Sequence, residues 1–427
     1  MAGAVKVRIR RVGAALMVGA GIVPVVFLLA VDPSSAALST VERIAGEDRY
    51  ETAAAISVAT FEPEVPVVFI ATGQNFPDAL AGGPAAGVSG GPILLVEQDE
   101  VPPSTEVELE RLAPAEIVVL GGEEVVSAEV FDVLEQLAPR ATTRIARDDR
   151  YATAAAISEA TFAPGVAMAY VATGTDFPDA LPGGAAGANL GGPVLLVDGE
   201  SVSDALFDEL VRLEPAAVTV LGGSGIVLDE LVEEIDQITG ITATRVAGGT
   251  RYETATELSA ATFVDGSSTV FVATGASFPD ALAGGPAAGE GAAPLLLVPG
   301  ECAPQSVIDE IDRLGAETMV ILGGTAVVEP AIETLAVCIV EDGVTTTTVT
   351  SDDRDLERAP ATPTPTEDCD PAYPDFCIPP APPELTCADV DGVEFTVLAP
   401  DPHGFDADGN GIGCETTPAP LDPRNPA

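Results

Sequence analysis

The densest set of metal-binding side chains lies close to the C-terminus. Asp406, Asp408 and Asn410 stand on alternate residues and are followed by Gly411. Oxygen ligands at this spacing, with a glycine for the tight bend, are typical of calcium loops. In an EF-hand the bidentate glutamate comes six residues after the glycine, whereas Glu415 comes four residues after it. The segment predicts a Ca²⁺ site of another kind; the alternative is an Asx-rich turn held by a disulfide.

A second candidate set is a threefold series of arginines. Three arginines recur at two steps of 101 residues, giving Arg43, Arg49, Arg111, Arg144, Arg150, Arg212, Arg245, Arg251 and Arg313. Guanidinium groups hold phosphate and carboxylate groups through paired hydrogen bonds, so a cluster of them could bind an anionic polymer. The alternative is structural, with each arginine paired to a carboxylate such as Asp78 or placed at a helix end.

Residue types needed for common hydrolytic sites are scarce. His403 is the only histidine, which argues against a zinc site of several histidines and against a Ser-His-Asp triad. A hydrolase with paired carboxylates in an α/β cleft remains conceivable. The recurring carboxylates are, however, explained by helix capping. No unrepeated insertion interrupts the repeats, so we expect a protein that is not an enzyme.

The charge of the chain excludes two classes of partner. Of 427 residues, 67 are acidic and 18 are basic, for a net charge of −49. Without the first 37 residues the chain keeps 14 arginines and 66 acidic residues, a net charge of −52. Nucleic acid and anionic lipid both need clustered positive charge facing them, so neither is expected as a partner.

The first 37 residues have the three parts of an export signal. Basic residues from Lys6 to Arg11 precede an apolar run from Val12 to Val31, and small residues at 34–37 offer a cleavage site. The alternative is an uncleaved anchor, because about twenty apolar residues can span a bilayer. We expect cleavage, export and no membrane contact afterwards.

One domain is used three times along the chain. The motif that begins at Arg43, the F-P-D-A-L motif at Phe76 and the L-G-G motif at Leu120 each return at both steps. Within each copy, short apolar runs alternate with helical segments, which predicts α/β modules with parallel sheets. The run from Asp48 to Glu51 predicts a capping box. The glycine-rich run 82–87 lacks a dinucleotide fingerprint and indicates close helix–sheet packing.

Composition shifts and cysteines complete the organisation. Proximity favours the pairs Cys302–Cys338, Cys369–Cys377 and Cys387–Cys414 among fifteen possible connectivities. The predicted segments are a signal peptide at 1–37, modules at 38–140, 141–241 and 242–340, a Thr/Pro-rich linker at 341–383, a small disulfide- and calcium-stabilised domain at 384–416, and a disordered tail at 417–427.

The repeat motifs resemble the type 2 cell-wall-binding repeat of bacterial surface proteins. They read R-I-A-G-x-x-R-Y-x-T-A, A-T-G-x-x-F-P-D-A-L and V-V-L-G-G, and the resemblance covers about residues 41 to 340. It implies three Rossmann-like modules packed as a pseudo-trimer around a threefold axis, bound non-covalently to an anionic cell-wall polymer. The second copy has Arg147 for Gly46 and Ala152 for Glu51, so its site is expected to differ.

The tail resembles the Excalibur domain, an extracellular calcium-binding module with the pattern D-x-D-x-D-G-x-x-C-E. The match includes Cys414, and Asn410 replaces one aspartate. The resemblance implies Ca²⁺ ligands at Asp406, Asp408, Asn410, the backbone carbonyl of Ile412, and Glu415. The leading hypothesis is therefore a secreted, non-catalytic cell-surface protein anchored to the wall. A peptidoglycan-active hydrolase of the amidase kind is the alternative.

Overall fold

The computed structural model describes residues 38–137, 140–176, 178–341 and 344–347, together with two short strands nearer the C-terminus. The chain divides at residue 350 into two units. Of the second unit only β16 (Phe395–Thr396) and β17 (Ile412–Gly413) are described, and they pair in antiparallel fashion.

The three repeats form the first unit, each with alternating strands and helices. Repeat 1 contains β1 (Thr40–Ile44), α1 (Arg49–Thr60), β2 (Val67–Thr72), α2 (Pro77–Val88), β3 (Ile93–Val96), α3 (Pro103–Leu112), β4 (Glu116–Leu120) and α4 (Ala128–Leu137). Repeat 2 contains β5 (Ala141–Ile145), α5 (Arg150–Thr161), β6 (Ala169–Thr173), α6 (Leu181–Leu190), β7 (Val194–Val197), α7 (Asp204–Leu213), β8 (Val218–Leu221) and α8 (Asp229–Thr239).

Repeat 3 begins in the same way and ends differently. It contains β9 (Thr244–Val246), α9 (Arg251–Thr262), β10 (Thr269–Thr274), α10 (Pro279–Glu290), β11 (Leu295–Val298), β12 (Ala303–Pro304), α11 (Gln305–Leu314), β13 (Thr318–Leu322), a 3-10 helix (Pro330–Thr334), β14 (Val337–Glu341) and β15 (Val344–Thr347). The 3-10 helix takes the place of the last α-helix of the other repeats. Strand β14 then pairs with β12 and β15.

Local sequence explains where the helices begin. Asp48 accepts hydrogen bonds from the N–H groups of Tyr50 and Glu51, both at 2.8 Å, and so caps α1. The predicted capping box is confirmed with one difference: Glu51 accepts from the N–H of Glu47, one residue before the cap. Proline opens α2 at Pro77, where a missing N–H costs nothing.

Each of the three larger sheets is parallel and has four strands, which confirms the predicted α/β class. The strand orders are β3-β2-β4-β5, β7-β6-β8-β9 and β11-β10-β13-β1. The fourth strand of each sheet thus belongs to the next repeat. The third sheet takes it from the first repeat, with Thr40 opposite Thr318 and Ile44 opposite Leu322. The boundaries predicted at 140 and 241 therefore mark the ends of sequence repeats, but each sheet extends across such a boundary by one strand.

The repeats share one hydrophobic core. A continuous cluster of buried apolar side chains includes residues of all three repeats, and a second cluster fills the other side of the third sheet. Helices α2, α6 and α10 contact one another pairwise. A Cβ at Gly285 would lie 3.4 Å from the Cα of Gly184, so glycine permits this approach of two helices. Gly82, as predicted, packs on the sheet, where a Cβ would meet Leu120.

The disulfide predicted between Cys302 and Cys338 is present, with the Cα atoms 5.3 Å apart. It joins the region of β12 to β14 beside the third sheet. The other four cysteines, the signal peptide and the predicted linker lie outside the described residues, apart from Glu341 at the end of β14 and the strand residues 344–347. No helix within the described residues has the length and apolar character needed to cross a membrane.

Of the predicted calcium ligands, only Ile412 belongs to the described residues. Asp406, Asp408, Asn410 and Glu415 lie outside them, and Ile412 begins β17. Ile412 pairs with Thr396 of β16. Within the described part of the chain, no group of three His, Cys, Asp or Glu residues could hold a metal ion.

Candidate functional site

The strand order of each sheet creates one crevice where a ligand is expected. In the first sheet, β2 and β4 are neighbours, and the chain leaves them toward opposite edges, to β3 and to β5. Open parallel sheets bind ligands beyond the carboxyl ends of the strands at such a switch point. Here the switch point lies between the turn at Thr72-Gly73 and the pair Gly121-Gly122.

Every switch point faces the first turn of a helix from the next repeat. The switch points of the first, second and third sheets are here called cleft 1, cleft 2 and cleft 3. In cleft 1, Asp78 of α2 interacts electrostatically with Arg150 of α5. Asp179 and Arg251 form the equivalent pair in cleft 2. In cleft 3, Asp280 of the third repeat faces Arg49 of the first. The clefts are therefore built at the junctions between repeats.

Cleft 3 contains a cavity at the junction of the third and first repeats. Its volume is about 350 Å³, and its lining includes Arg49, Asp48, Ser277, Asp280 and Thr325. A neighbouring cavity of about 270 Å³ shares Ser277, Ala326 and Val327 with it. The two together form a groove along the carboxyl ends of the third sheet. Hydroxyl, carboxylate and guanidinium groups in such a groove can bind a polyhydroxylated or anionic chain.

The aspartates of the clefts are held in a partly dehydrated environment. Asp280 is only 8% exposed. Burial raises the pKa of Asp78 and of Asp280 to about 6, although Arg150 and Arg49 each oppose the rise. These carboxyl groups therefore change charge in mildly acidic solution.

Asp179 of cleft 2 follows the same rule. Burial raises its pKa, while a hydrogen bond with Thr254 and the charge of Arg251 oppose the rise. A glycine on the opposite side of each cleft makes room for the carboxylate. A Cβ at Gly121 would lie 2.5 Å from Asp78 Oδ2, and one at Gly323 would lie 2.6 Å from Asp280 Oδ2.

The nine recurring arginines fall into three classes. Arg49, Arg150 and Arg251 lie at the clefts, and each donates to the carbonyl of the glycine that follows the second strand of its own repeat, at 2.6 Å for Arg150 and 2.7 Å for Arg251. The guanidinium group of Arg49 also lies 6.0 Å from the ring centre of Phe278. These three arginines are therefore fixed in position beside the aspartates.

The second class supports the Gly-Gly turn that bounds each cleft. Arg43 donates to the carbonyl groups of Gly323 and Val328, both at 2.8 Å, and pairs with Glu333 at 3.0 Å. Arg144 donates to Gly121 and Arg245 to Gly222, and Arg245 also pairs with Asp229. These side chains act within the fold.

The third class lies away from the clefts. Arg111 donates to both carboxylate oxygens of the buried Glu108 at 2.7 Å, and to the carbonyl of Phe61 at 2.8 Å. Arg212 with Glu209 and Arg313 with Glu310 repeat the arrangement. These three arginines therefore follow the alternative given above, in which a recurring arginine pairs with a carboxylate inside the fold. The buried glutamates were missed, although their own 101-residue recurrence could have revealed them.

Three α/β modules, each facing the next through an aspartate and an arginine at a switch point, define a repeat protein. Residues 43–131, 144–232 and 245–333 each match the family described as cell wall binding domain 2 (CWB2), so the chain belongs to that family. Its members are cell-wall-associated proteins, which places this chain among proteins of the wall or cell surface.

Relatives support the same class. The N-acetylmuramoyl-L-alanine amidase LytC of Bacillus subtilis (strain 168) is 26% identical over 302 residues, which cover 71% of this chain and 58% of the relative. The amidase enhancer of the same organism is 29% identical over 216 residues, covering 51% of this chain and 29% of the enhancer. The chain thus spans little more than half of one curated relative and less of the other.

Two solved structures share the fold. Cwp6 from Clostridium difficile has a TM-score of 0.64 and 26% identity, over 67% of this chain and 46% of Cwp6. Cwp8 from the same organism has a TM-score of 0.63 and 24% identity, over 70% of this chain and 51% of Cwp8. The similarity to Cwp8 concerns the fold alone.

Proposed function

We propose that this protein is an exported, non-catalytic surface protein that attaches to an anionic secondary polymer of the bacterial cell wall through its three repeats. Membership of the CWB2 family over all three repeats supports the wall as the location. The observation that carries the polymer contact is the threefold recurrence of an arginine beside a switch-point cleft. Regular spacing of like sites suits a ligand that itself repeats.

Within this proposal, Arg49, Arg150 and Arg251 contact the polymer. Their hydrogen bonds to glycine carbonyl groups use Nη1 and leave other guanidinium donors for a ligand. For Arg43, Arg111 and their counterparts the internal bonds give a structural role, and a polymer contact by them stays a prediction. The strong negative charge of the chain makes locally fixed arginines the main attraction for a polyanion.

The three repeats are proposed to form a pseudo-trimer within one chain. Pairwise contacts among α2, α6 and α10 support this arrangement, as does the pairing of β1 with β13. Such an arrangement would present the three clefts at equivalent positions to one polymer.

Sedimentation with purified cell envelopes tests the attachment. The mature chain should co-sediment with intact envelopes, and extraction of their secondary polymers should abolish this. Replacing Arg49, Arg150 and Arg251 together with glutamine should weaken binding by at least about tenfold, because each lost charged contact is worth roughly 1 kcal/mol or more.

Arg140→Gln is the matched control, because Arg140 is exposed and absent from all three clefts. It should bind like the wild type, and circular dichroism should show both proteins folded. Wild-type protein that stays in the supernatant with intact envelopes would contradict wall attachment.

The C-terminal module is proposed to bind Ca²⁺ through Asp406, Asp408, Asn410, Ile412 and Glu415. The sequence pattern supports this, and Ile412 pairs with Thr396 in the described strands. Calorimetric titration of the mature chain should show one Ca²⁺ site, weakened at least about tenfold by Glu415→Gln and unchanged by Asp401→Asn. Absence of any Ca²⁺ binding would rule the module out as a calcium site.

A peptidoglycan hydrolase is the second candidate function. Two observations favour it: the raised pKa of Asp280 in a cleft, which suits a general acid, and the amidase named among the relatives. The test is turnover of purified peptidoglycan by the wild type and by Asp280→Asn. Turnover that disappears in the variant would support catalysis, and no turnover by the wild type would exclude it.

A further inference from the structure

The second repeat differs from the others at two positions that touch. In repeat 1 the carboxylate of Glu51 accepts from the N–H of Glu47 at 2.8 Å, and in repeat 3 Glu253 has the equivalent bond at 2.7 Å. A Cβ at Gly46 would lie 2.2 Å from the Cβ of Glu51. The same Cβ would lie 2.6 Å from the backbone carbonyl carbon of Glu51, so close approach of the backbone accounts for the glycine, and the carboxylate bond accounts for the glutamate.

Repeat 2 replaces both members of this pair, with Arg147 for the glycine and Ala152 for the glutamate. Asp149 still caps α5 through the N–H of Ala152 at 2.8 Å, so the helix begins as in the other repeats. The changed pair is thus not needed to start the helix. Its consequence is a different surface beside α5.

That surface is a cleft of about 330 Å³ between α5 and α7, here called the α5–α7 cleft. Alanines line its walls, among them Ala152, Ala156 and Ala205, and leave it open. Arg147 lines it from the start of α5, and Glu159 from near the end of the same helix. Small alanine side chains between groups of opposite charge leave room for an elongated ligand.

The charges of the α5–α7 cleft are arranged in a bipolar way. Arg147, Glu159 and Asp208 are exposed, whereas Arg212 and Glu209 are already paired with each other at 2.7 Å. Nη1 of Arg147 donates to the carbonyl of Ala146 at 2.8 Å, which leaves the other donors of this guanidinium group for a ligand. Asp208 and Glu159 supply the carboxylates of the cleft, and Glu159 also interacts electrostatically with Arg212. In repeats 1 and 3 the position of Glu159 is held by Val58 and Ala260, so this pattern belongs to repeat 2.

We propose that the α5–α7 cleft binds a short zwitterionic peptide. Arg147 holds its terminal carboxylate through a paired hydrogen bond, and Asp208 and Glu159 receive its ammonium group. Ala152 and Glu159 are seven residues apart on α5, which corresponds to roughly 10 Å along the helix. An extended peptide of about three residues covers that distance. The site is separate from the three switch-point clefts and adds a second ligand to the proposed attachment to the wall.

Isothermal titration of the mature chain with tri-L-alanine tests the site. One equivalent should bind. The C-amidated peptide should bind at least about tenfold more weakly, and the N-acetylated peptide at least about fivefold, because each loses a charge-assisted contact.

The double variant Arg147→Gly/Ala152→Glu gives repeat 2 the pair that repeats 1 and 3 carry, so it should fold normally. It should bind tri-L-alanine at least about tenfold more weakly, whereas Arg147→Lys should retain most of the affinity and Arg140→Gln all of it. Co-sedimentation of the double variant with envelopes should be unchanged, which separates this site from the polymer clefts.

Three results would overturn the proposal. They are no binding of tri-L-alanine by the wild type, equal affinity for the free and blocked peptides, and undiminished affinity in the folded double variant.

Discussion

At the scale of single residues, the ion pair of Arg111 and Glu108 is the clearest stabilising interaction of repeat 1, and repeats 2 and 3 have its equivalents. The carboxylate of Glu108 is almost fully buried, accepts from Arg111 at both oxygens, and is also bonded by the Ser57 hydroxyl. Removing one partner of such a pair leaves an uncompensated buried charge. We therefore expect Arg111→Gln to lower the free energy of unfolding by about 3 kcal/mol.

Urea denaturation of the mature chain at neutral pH measures this loss. Arg140→Gln removes the same charge from an exposed position and should change the free energy of unfolding by less than about 0.5 kcal/mol. Equal stability of the two variants would show that the pair of Arg111 and Glu108 contributes nothing beyond net charge.

Asp280 predicts a dependence of stability on pH. Because burial raises its pKa from 3.8 to about 6, the native state holds a proton that the unfolded state has released between these values. Its contribution to stability is thus fully present in acid and is lost as the pH rises through 6. Asp280→Asn should match the wild type near pH 4 and exceed it by about 1–3 kcal/mol at pH 8.

Urea denaturation across this pH range measures the effect of Asp280→Asn. The acidic neighbours Glu47 and Asp48 are present in both proteins, so the two differ in cleft 3 only at residue 280. A difference between variant and wild type that stays constant from pH 4 to pH 8 would show that Asp280 titrates normally in the folded chain.

The recurrence of side chains singled out nine arginines but did not predict the partners that the structure gives them. Arg49 and Asp280 are neighbours in cleft 3 although 231 positions separate them in the sequence. Capping and turn preferences act over a few residues, so local sequence could place Asp78 at a helix start and no farther. Which repeat each arginine faces depends on how the modules pack, and the repeated motif does not predict that packing.

At the scale of elements, short apolar runs and caps predicted the strands and helices of each repeat well. The buried strand β2 and the helix starts at Asp48 and Pro77 lie where the patterns indicate. The position of β1 was not predicted. Its alternation does not reveal a partner, and its pairing joins Thr40 to Thr318, across most of the three-repeat unit. Strand pairing at this distance follows from tertiary packing.

The closing role of β1 can be tested by removing it. Deleting residues 38–44 takes away the fourth strand of the third sheet and the bonds from Arg43 to Gly323 and Val328. β13 then becomes an edge strand. Amide hydrogen exchange at residues 318–322 should speed up by at least about tenfold, while β4, which keeps its partner β5, should be unaffected.

Unchanged protection of β13 in the deletion variant would contradict this role of β1. Faster exchange in β4 as well would instead indicate that the whole unit is destabilised. Comparing the two strands within one molecule therefore separates a local effect from a global one.

At the scale of the whole molecule, the three repeats are expected to unfold together. Buried side chains of all three belong to one continuous cluster, and the helices α2, α6 and α10 meet at glycines. The backbones at Gly83, Gly184 and Gly285 approach so closely that a Cβ at Gly83 would lie 3.3 Å from the Cα of Gly184. A Cβ at Gly184 itself would make ordinary contact, 3.5 Å from the Cα of Gly285, so the further methyl groups of a branched side chain have to push the repeats apart.

We therefore expect Gly184→Val to act on all three repeats at once. Scanning calorimetry of residues 38–350 should show one transition for the wild type, and a variant transition that is lower by several degrees and divided or broadened, because overpacking costs about 1–3 kcal/mol at the shared contact. Gly225→Ala is the matched control, since a Cβ at Gly225 meets nothing within 4 Å. Separate transitions of the wild type would show that the repeats are independent domains, and a single transition of Gly184→Val at the wild-type temperature would show that the glycine contact does not hold the repeats together.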